Sequence, residues 1–519
     1  MRNEEVSVLN IKYMLKLLKK TWLHNETMKG WVTLDYILKD LSPSLVFKYF
    51  EEISRIPRCS GKEKNISDYL VNFAKEHNLE VIQDEALNVI IKKGATKGYE
   101  NAPTVILQGH MDMVCEKNKD VEHDFEKDPI KLRVEGDFIK ASGTTLGADN
   151  GIAIAYCLAI LASDDIEHPP IEVLITTEEE TGMAGASAVK AENLSGKILI
   201  NIDSEEEGEL LTSCAGGVRN TVRLTVELEE KRQGFIPYKI IIKGLKGGHS
   251  GMDIDKGRGN SNKLMGRVLN SINSQMELYI SDINGGAKMN AIPREAEAII
   301  FIREGNESIL NNIVKRMHNI FKDELRASDP GIIVEVEEVE KKPYRVFSKA
   351  LTDKIISLLM LIPQGVQTMS MDIKGLVQSS TNLGVVATTE DEVTFESAIR
   401  SSVKSLKESI IAEIETLCNL VGAAMTLESD YPAWEYKENS YIREVFKKVY
   451  RDMYGKEPKI TAIHAGLECG LLKDILGDID MISFGPTMLD VHTPEERLSI
   501  SSTKRTYEYL LQVLKAIKS

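Results

Sequence analysis

The chain has 519 residues, and because a domain usually contains about 100 to 200 residues, this length predicts two or three packed units. Hydrophobic residues make up 42% of the chain and charged residues 28%, a composition that excludes a chain disordered throughout. The 64 Lys and Arg residues against 79 Asp and Glu residues give a net charge of −15, which argues against binding to nucleic acid or to an anionic membrane. Such an acidic chain favours the binding of cations.

The six cysteines are widely separated and include no Cys-x-x-Cys pair, which argues against a disulfide framework and against a cysteine-based zinc site. No apolar run approaches the ~18 residues of a membrane-spanning helix, and lysines interrupt the apolar N-terminal stretch VSVLNIKYMLKLLKK. We therefore expect a cytoplasmic protein that is neither exported nor inserted into a membrane. The cysteines are Cys59, Cys115, Cys157, Cys214, Cys418 and Cys469.

Residues 1–40 differ from the rest of the chain, because they are basic and contain Trp22 and Trp31, two of the three tryptophans. We interpret them as an N-terminal extension, either a docking helix or residues added by an upstream start codon. The pattern that carries chemistry begins after them.

From residue 41 to 217, short apolar runs alternate with helical segments, which is typical of strand-helix-strand units in an α/β layer. Residues 218–428 alternate strands with amphipathic helices and predict an inserted α+β unit. Residues 429–519 return to the first pattern, so we expect them to rejoin the first domain. The predicted strands include VIIKK, TVILQGH, IEVLITTEEE and KILINID in the first domain, and YKIIIKG, AEAIIFIRE, GIIVEVEEV and DEVTFESAIR in the insert.

Acidic and imidazole side chains directly follow three of these strands. His110 and Asp112 come after TVILQG, Glu178–Glu180 after IEVLITT and Asp203 after KILINI, while Asp149 lies in the turn LGADNG. Ligands bind outside the carboxyl ends of strands in an open α/β sheet, so these side chains should meet at one place. Each alone is more often a structural hydrogen-bonding group, a helix cap or a solvated charge. Together, histidine and carboxylates without cysteine indicate a catalytic zinc or manganese centre.

Several segments between residues 41 and 519 resemble the dinuclear-zinc metallopeptidases that include carnosinases and aminoacylases. The resemblance implies an α/β fold, with a zinc-aminopeptidase-like catalytic domain that has a mixed central sheet and is interrupted by an α+β lid domain. The implied catalytic segments are 41–217 and 429–519, and the implied lid is 218–428. The segments that carry the resemblance are GHMD, LGADNG, TTEEETGMAGA, LINIDSEEEGE, CAGG, GGHSG, NAIPREA and GPTMLDVHTPEE.

The resemblance implies two divalent metal ions that share five ligands. His110 and Asp203 would hold one ion, Glu180 and His492 the other, and Asp149 would bridge both. A bridging carboxylate suits such a centre, because two ions ~3.5 to 4 Å apart repel each other and an aspartate can give one oxygen to each. Zinc is the expected metal, with manganese and cobalt as alternatives.

Two catalytic carboxylates are also implied. Asp112 would orient a ligand imidazole, and Glu179 would take a proton from the water that the two metals activate and later deliver it to the leaving amine. Three consecutive glutamates leave the register open. Their position before Thr181-Gly182-Met183 favours Glu179 as the base and Glu180 as the ligand, and the alternative makes Glu178 the base and Glu179 the ligand.

Four further residues are implied to contact substrate. His249 would donate to the developing oxyanion, and Arg400 would bind the C-terminal carboxylate of the substrate in a bidentate pair. Asn290 is a third such position in the lid, and Gly466 is a main-chain position that approaches the substrate closely. Without the resemblance, His249, Asn290 and Arg400 are turn or strand-end residues on a solvated surface. His464 is expected to pack nearby.

Taken together, these implied roles are those of a metal-dependent enzyme that hydrolyses L-dipeptides, including those with C-terminal histidine. Dipeptides are the expected partners, and a homodimer is compatible with the resemblance. An aminoacylase or a carboxypeptidase on the same scaffold is the first alternative, because the metal centre alone does not specify the acyl group. A non-catalytic peptide-binding protein is the second, and it should lack a ligand or the base.

Overall fold

Two large β-sheets organise the part of the chain that the computed structural model describes, residues 36–230, 232–339 and 345–518. The helices are α1 (Ser44–Ser54), α2 (Lys64–Glu76), α3 (Ala148–Ala162), α4 (Glu179–Gly182), α5 (Ala184–Ala188), α6 (Ser261–Asn273), α7 (Glu307–Glu324), α8 (Lys349–Leu361), α9 (Lys404–Val421), α10 (Tyr441–Tyr454), α11 (Glu468–Leu476) and α12 (Ile500–Ala516), with short 3₁₀ turns at Ala191–Asn193 and Ile254–Lys256. The strands are β1 (Glu80–Gln83), β2 (Val89–Lys93), β3 (Val105–His110), β4 (Leu132–Glu135), β5 (Phe138–Ala141), β6 (Ile171–Thr176), β7 (Ile198–Asn201), β8 (Glu209–Cys214), β9 (Gly216–Thr225), β10 (Leu228–Glu229), β11 (Phe235–Lys243), β12 (Gly248–His249), β13 (Leu278–Gly285), β14 (Ala291–Ile292), β15 (Ala296–Arg303), β16 (Ile333–Glu338), β17 (Val346–Phe347), β18 (Gly365–Met369), β19 (Val377–Thr388), β20 (Glu392–Ser401), β21 (Ala424–Tyr431), β22 (Lys459–Ile463), β23 (Asp480–Ser483), β24 (Met488–Leu489) and β25 (Arg497–Ser499).

The first sheet is mixed and has eight strands in the order β1-β2-β6-β3-β7-β23-β8-β22. Strand β3 pairs in parallel with both β6 and β7, whereas β2 pairs antiparallel with β6. Strands β3, β6 and β7 consist wholly of buried residues, as expected of parallel strands covered on both faces. Their carboxyl ends therefore lie side by side at one edge of the sheet.

Helix α3 packs directly against strand β3. All residues from 150 to 161 are buried, because this helix is apolar on every side and lies inside the core. Gly109 permits the close approach, since a Cβ atom there would lie 2.3 Å from Asn150 Oδ1. Asn150 accepts a hydrogen bond from the His110 N–H at 3.2 Å and donates to the Ile202 carbonyl at 2.6 Å, which ties the helix to two strand ends. Apolar as α3 is, no helix within the described ranges is long and apolar enough to cross a membrane.

The second sheet is antiparallel, with the order β16-β11-β15-β13-β19-β20-β9-β21 and with β18 paired to β19. Alternate residues of β20, such as Phe395 and Ile399, belong to a core cluster that also contains residues of helices α6 to α9. We call the opposite side of this sheet its open face. On the open face Arg400 lies opposite Gly217, and Ala398 lies opposite Arg219.

The strands predicted for both regions are confirmed, but the prediction that the cysteines form no disulfide is wrong. Cys59 and Cys115 are joined by a disulfide, with their Cα atoms 5.7 Å apart. Sequence spacing could not reveal the pair, because its members are 56 residues apart and lie in the loops after α1 and β3, which meet only in the fold. The other four cysteines are free and buried.

The chain just before α1 packs onto that helix. Leu38 is buried, and its N–H donates to Glu51 Oε2 at 2.8 Å. The Tyr36 hydroxyl donates to Glu52 at 3.0 Å. The end of the N-terminal extension predicted for residues 1–40 therefore belongs to the folded unit. The prediction of a docking helix or of added residues falls mainly on positions 1–35, which lie outside the described residues.

Candidate active site

Five predicted metal ligands come together at the edge where β3, β6 and β7 end. They lie at the end of β3, at the start of α3, in the short helix α4 after β6, two residues after β7 and in the loop between β24 and β25. In that order they are His110, Asp149, Glu180, Asp203 and His492.

The Asp149 carboxylate lies between the two histidines. His110 Nε2 lies 3.1 Å from Asp149 Oδ1, while His492 Nε2 lies 3.0 Å from Asp149 Oδ2. Asp203 completes one group with His110, and Glu180 completes the other with His492; in each group the candidate ligand atoms lie within 4.8 Å of one another. Two groups that share one carboxylate, each through a different oxygen, are suited to a pair of cations.

The charges of this cluster keep protons on it when no cation is bound. Burial alone would lower the pKa of His110, but the negative charge of Asp203 and the hydrogen bonds with Asp112 and Asp149 raise it well above its usual value. Hydrogen bonds with Asp149 and Glu180 raise the pKa of His492 to about 11, and burial raises that of Asp203 to about 6. Asp203 Oδ1 is buried and accepts no hydrogen bond from the described residues. An acidic, partly unsatisfied cluster of this kind fits divalent metal ions.

The Asp112 carboxylate supports both the imidazole and the glutamate segment. Asp112 Oδ1 accepts hydrogen bonds from His110 Nδ1 at 3.2 Å and from the Glu179 N–H at 3.0 Å. Its Oδ2 accepts from the Ser60 hydroxyl at 2.8 Å and from the Glu180 N–H at 3.2 Å. Asp112 thus contacts the His110 imidazole, as predicted, and also the main chain of Glu179 and Glu180, which was not predicted.

The three consecutive glutamates have different surroundings. Glu179 can form a group with His110 and Glu180, and burial together with the charge of Asp203 raises its pKa well above the usual value, against the opposing effect of His110. The Glu178 N–H donates to Glu63 at 3.1 Å, and among the described residues Glu178 belongs to no group that could hold an ion. In this register Glu180 contacts His492.

Arg58 is a buried cation that the sequence analysis missed. Its guanidinium donates to the carbonyls of Met111 and Asp112, at 3.0 and 3.2 Å, and also to the Gly147 carbonyl. Burial lowers its pKa to about 10, so it stays positive at neutral pH. It thereby joins the segment after His110 to the loop before Asp149 and places a positive charge beneath the acidic cluster. A lone arginine after an apolar helix gives no sequence signal for such a role.

Glu496 is a second missed residue, although it lies in the same segment as His492. Its carboxylate accepts hydrogen bonds from the N–H groups of Leu146, Gly147 and Ala148 at 2.7, 3.0 and 2.7 Å. These donors form the turn that leads into Asp149. The resemblance covered Glu496 in GPTMLDVHTPEE, but nothing in that segment pointed to the turn it holds.

Glu468 is a third missed carboxylate, and it is fully buried behind the cluster. Its Oε2 accepts from Gln108 Nε2 at 2.6 Å and from the Thr176 hydroxyl at 2.8 Å, and burial raises its pKa to about 8. Gln108 and Thr176 lie on β3 and β6, so Glu468 connects the ends of two strands that lead into the site.

His249 lies near Arg400 and has a defined tautomer. Its Nδ1 accepts from the N–H groups of Gly251 and Met252 at 3.2 and 3.1 Å. Burial, followed by the positive charge of Arg400, lowers the pKa of His249, so the ring is neutral and carries its proton on Nε2. That N–H is a donor without a partner among the described side chains.

Arg400, Tyr431 and Gly466 form one contact between the open face and the C-terminal segment. Arg400 Nη1 donates to the Tyr431 hydroxyl at 3.0 Å. A Cβ atom at Gly466 would lie 2.9 Å from the Tyr431 ring, so glycine permits the ring to pack there. His464, close by, contacts the Ser380 hydroxyl through Nε2 at 2.7 Å.

Asn290 lies at the end of the loop that follows β13. Its carbonyl accepts from the Ser250 N–H at 2.9 Å, next to the pairing of His249 with Ala291. Its side chain is exposed and borders the same cavity as Arg400. The structure therefore brings this loop beside His249 without a side-chain hydrogen bond to it.

Comparisons with known proteins agree with this geometry. The model of peptidase family M20/M25/M40 matches residues 106–516. A cytosol non-specific dipeptidase of Escherichia coli (strain K12) is 41% identical over 480 residues, which cover 92% of this chain and 99% of that protein. The structure of an aminoacylhistidine dipeptidase from Vibrio alginolyticus matches with a TM-score of 0.89 and 40% identity, covering 93% of this chain and 98% of that one. The aminopeptidase PepT from Bacillus cereus, at 16% identity and a TM-score of 0.54 over 92% of this chain and 99% of its own, shares the fold. The chain therefore belongs to peptidase family M20/M25/M40.

Proposed function

We propose that this chain is a metal-dependent dipeptidase that hydrolyses L-dipeptides with a free amino terminus, including those with C-terminal histidine. Family membership and the two dipeptidases of Escherichia coli and Vibrio alginolyticus support a peptide hydrolase of this type. The observation that carries the proposal is the Asp149 carboxylate, whose two oxygens contact His110 and His492 separately. This arrangement suits two cations on either side of one aspartate.

The donor set fits two divalent ions, and we propose zinc, with manganese and cobalt as alternatives. Imidazole and carboxylate ligands without thiolate are typical of catalytic centres of these metals. His110 and Asp203 would hold one ion, Glu180 and His492 the other, and Asp149 both. Bound there, the ions would supply Lewis acidity that activates the attacking water and polarises the scissile carbonyl.

Glu179 is the proton carrier of this proposal. It would accept a proton from the attacking water and deliver it to the departing amine nitrogen, as a general base and then a general acid. Its burial and its acidic neighbours favour the protonated form in the metal-free chain, and bound cations would favour the carboxylate that a base requires. Asp112 would hold the main chain of Glu179 and the His110 imidazole in place.

The residues near the open face would bind the substrate. The neutral His249 ring has its Nε2–H available to donate to the developing oxyanion, and Arg400 would bind the C-terminal carboxylate. We propose that Asn290 contacts the peptide from its loop and that Gly466 lets the peptide approach the main chain. Of these residues, His249, Asn290 and Arg400 belong to the lid proposed from the sequence, and Gly466 belongs to the second proposed catalytic segment.

Residues 41–217 and 429–519 would form the catalytic domain and residues 218–428 the lid, whose closure would exclude water from the scissile bond. We propose the cytoplasm as the location, in line with the name of the Escherichia coli relative. A homodimer is part of the same proposal, and sedimentation would test it.

A comparison of Glu179→Gln with Glu178→Gln tests the proposal. Glu179→Gln should keep its metals and bind dipeptide but lose activity by ~10²- to 10⁴-fold, the usual contribution of a general base, while Glu178→Gln should stay active. The substrates should include dipeptides, tripeptides and N-acetyl amino acids, each with added zinc, manganese or cobalt. Cleavage of N-acetyl amino acids alone would favour an aminoacylase, release of C-terminal residues from longer peptides a carboxypeptidase, and binding without cleavage a peptide-binding protein.

A further inference from the structure

A cavity of about 950 Å³ lies between the base-bearing segment and the open face of the antiparallel sheet. Thr181 and Met183, just after Glu179 and Glu180, line one side of it, and Arg400 lines the other. A substrate whose carboxylate is bound by Arg400 would therefore place its C-terminal residue in this cavity. The side chains that border the cavity should decide which C-terminal residues are accepted.

Strand register places a second arginine next to Arg400. Arg400 lies opposite Gly217 on β9, and Arg219 is two residues further along the same strand, so both side chains leave the same face. Such diagonal neighbours lie ~7 to 8 Å apart, within reach of long side chains. In a C-terminal aspartate or glutamate the two carboxyl carbons are three or four bonds apart, about 3 to 5 Å. Two long arginine side chains at diagonal positions can converge on two carboxylates at this distance.

The second arginine has no carboxylate partner of its own. Arg219 and Lys288 both border the cavity, and neither side chain forms an ion pair or a hydrogen bond with any residue in the described part of the chain. Glu428 lies opposite Arg219 on β21, but the two do not come within ion-pair distance.

Two carboxylates also border the cavity, and they do not cancel this charge. Asp430 is paired with Lys407, which donates to it. Glu396 lies opposite Thr221 on the open face and is therefore diagonal to Arg219, as Arg400 is, but in the described part of the chain the two form no ion pair. The cavity is bordered by three cations, Arg219, Lys288 and Arg400, and by one carboxylate without a cationic partner, Glu396. Its lining therefore has an excess of positive charge.

We propose that, among the dipeptides this enzyme cleaves, the cavity favours those with C-terminal aspartate or glutamate over those with an uncharged C-terminal residue such as histidine, with Arg219 binding the side-chain carboxylate while Arg400 binds the α-carboxylate. The inference rests on the proposed dipeptidase function and adds its substrate class. Lys288 contributes positive charge to the lining of the cavity, and Arg219 is the residue that determines specificity. An uncharged or cationic C-terminal side chain leaves Arg219 unpaired or repels it.

The test compares Ala-Glu, Ala-Gln and Ala-Lys, which share an N-terminal residue and differ in the charge of the C-terminal side chain. The metal-loaded enzyme should cleave Ala-Glu with a kcat/KM about tenfold higher than that for Ala-Gln, and higher still than that for Ala-Lys. Arg219→Gln should remove the Glu-over-Gln preference, and Arg219→Glu should make Ala-Lys the better substrate. Raising the salt concentration should shrink the preference of the unmodified enzyme, because Arg219 is exposed.

Arg223→Gln is the matched control, because Arg223 lies on the same strand and face but is paired with Glu392 at 3.6 Å. This variant should keep the full preference. Values of kcat/KM for Ala-Glu and Ala-Gln within twofold of each other in the unmodified enzyme would overturn the inference, as would a preference that survives Arg219→Gln. Cleavage of all three dipeptides at similar rates would leave the dipeptidase function standing, whereas cleavage of none would remove that function and the inference with it.

Discussion

The Glu179 main chain is anchored by the Asp112 carboxylate, whose Oδ1 accepts its N–H at 3.0 Å. The same oxygen accepts from His110 Nδ1 at 3.2 Å. The proposed base and one proposed metal ligand thus share a single acceptor atom. A change at Asp112 should therefore disturb proton transfer and metal binding together.

Asp112→Asn should be almost as damaging as Asp112→Ala. All four contacts of this carboxylate come from donors, and an asparagine NH₂ group would face two of them without an acceptor. We expect metal affinity to fall by ~10- to 100-fold, with a loss of kcat that excess metal does not restore. Metal titration of the apo-protein and steady-state kinetics at saturating metal measure the two effects.

Ser60→Ala is the control for Asp112, because it removes one of the four donors and leaves the acceptor intact. It should reduce both quantities much less. An Asp112→Asn enzyme with normal kcat at saturating metal would show that the carboxylate does not position the base.

Removal of the shared carboxylate should reduce the number of bound metal ions more than removal of one histidine does. Asp149→Ala should lose both ions, whereas His492→Ala should retain about one, because Asp149 contacts both histidines and His492 belongs to one group only. Elemental analysis of the dialysed proteins gives the stoichiometry. The control is His318→Ala, which changes a histidine on α7 that is far from the site in the sequence. This variant should retain both ions. Two tightly held ions in Asp149→Ala would contradict the shared-ligand assignment.

Metal binding should release protons, and the affinity should rise with pH. In the metal-free chain the pKa of His110 is raised well above its usual value and that of His492 to about 11, so both imidazoles are protonated at neutral pH. Two bound ions must displace about two protons from these rings, and the proton that the metal-free chain holds on Glu179 should be released in addition, so more than two protons should be counted. Calorimetric titrations in buffers with different ionisation enthalpies count the protons.

The same shift sets how the stability of the metal-free protein depends on pH. A folded-state pKa above the unfolded value of 6.5 means that the contribution of His492 to stability is complete below pH 6.5 and is lost as the pH rises toward 11. The Tm of the apo-protein should therefore fall between about pH 7 and about pH 10 more steeply than that of apo-His492→Ala. Equal slopes would contradict the ion pairs of His492.

The disulfide between Cys59 and Cys115 should show in a thiol count and in stability. Thiol titration of the denatured protein should find four thiols without reductant and six after reduction. Closing a loop of 56 residues corresponds to ~4 kcal/mol in the chain-entropy model, so the Cys59→Ser/Cys115→Ser variant should unfold at a lower temperature. Cys418→Ser is the control, since its thiol is free. Six thiols without reductant would contradict the pairing.

Two truncations should behave differently. A chain that begins at Met28 keeps Tyr36 and Leu38, whereas a chain that begins at Leu41 loses the burial of Leu38 and its hydrogen bond to Glu51. Loss of a buried leucine side chain costs ~2 to 5 kcal/mol, so the shorter chain should melt at a lower temperature while the longer one matches the full protein. Thermal unfolding of the three proteins decides this, and activity at low temperature should be similar in all three.

The gathering of His110 and Asp203 could be predicted from the sequence, because each follows a buried parallel strand and such strands end at one edge. The strands and the apolar helix α3 could be predicted for the same reason, since their periodicity and composition are local properties. Arg58 and Glu496 could not, because their partners are main-chain groups of a loop that is 89 and about 350 residues away along the chain. Local pattern does not show which distant main chain a buried charge will bind.

Cys115 and Glu468 show two further limits. The disulfide joins two loops, after α1 and after β3, that meet only in the fold, and no rule of sequence spacing predicts that contact. From the sequence alone, Glu468 is an ordinary acidic residue at the start of a helix. Only the fold shows that it is fully buried and bonded to Gln108 and Thr176. Neither the disulfide nor the buried position of Glu468 could be predicted, because a sequence pattern indicates which face of one helix or strand is buried and not which other elements it contacts.

Strand β23 occupies an interior position of the mixed sheet, between β7 and β8, although it begins only at Asp480. During translation, β7 and β8 therefore cannot reach their final pairing until nearly the whole chain has been synthesised. His492 and Glu496 emerge even later than β23. Because the proposed metal centre includes His492, a nascent chain made in this order would not assemble that centre until its synthesis is almost finished.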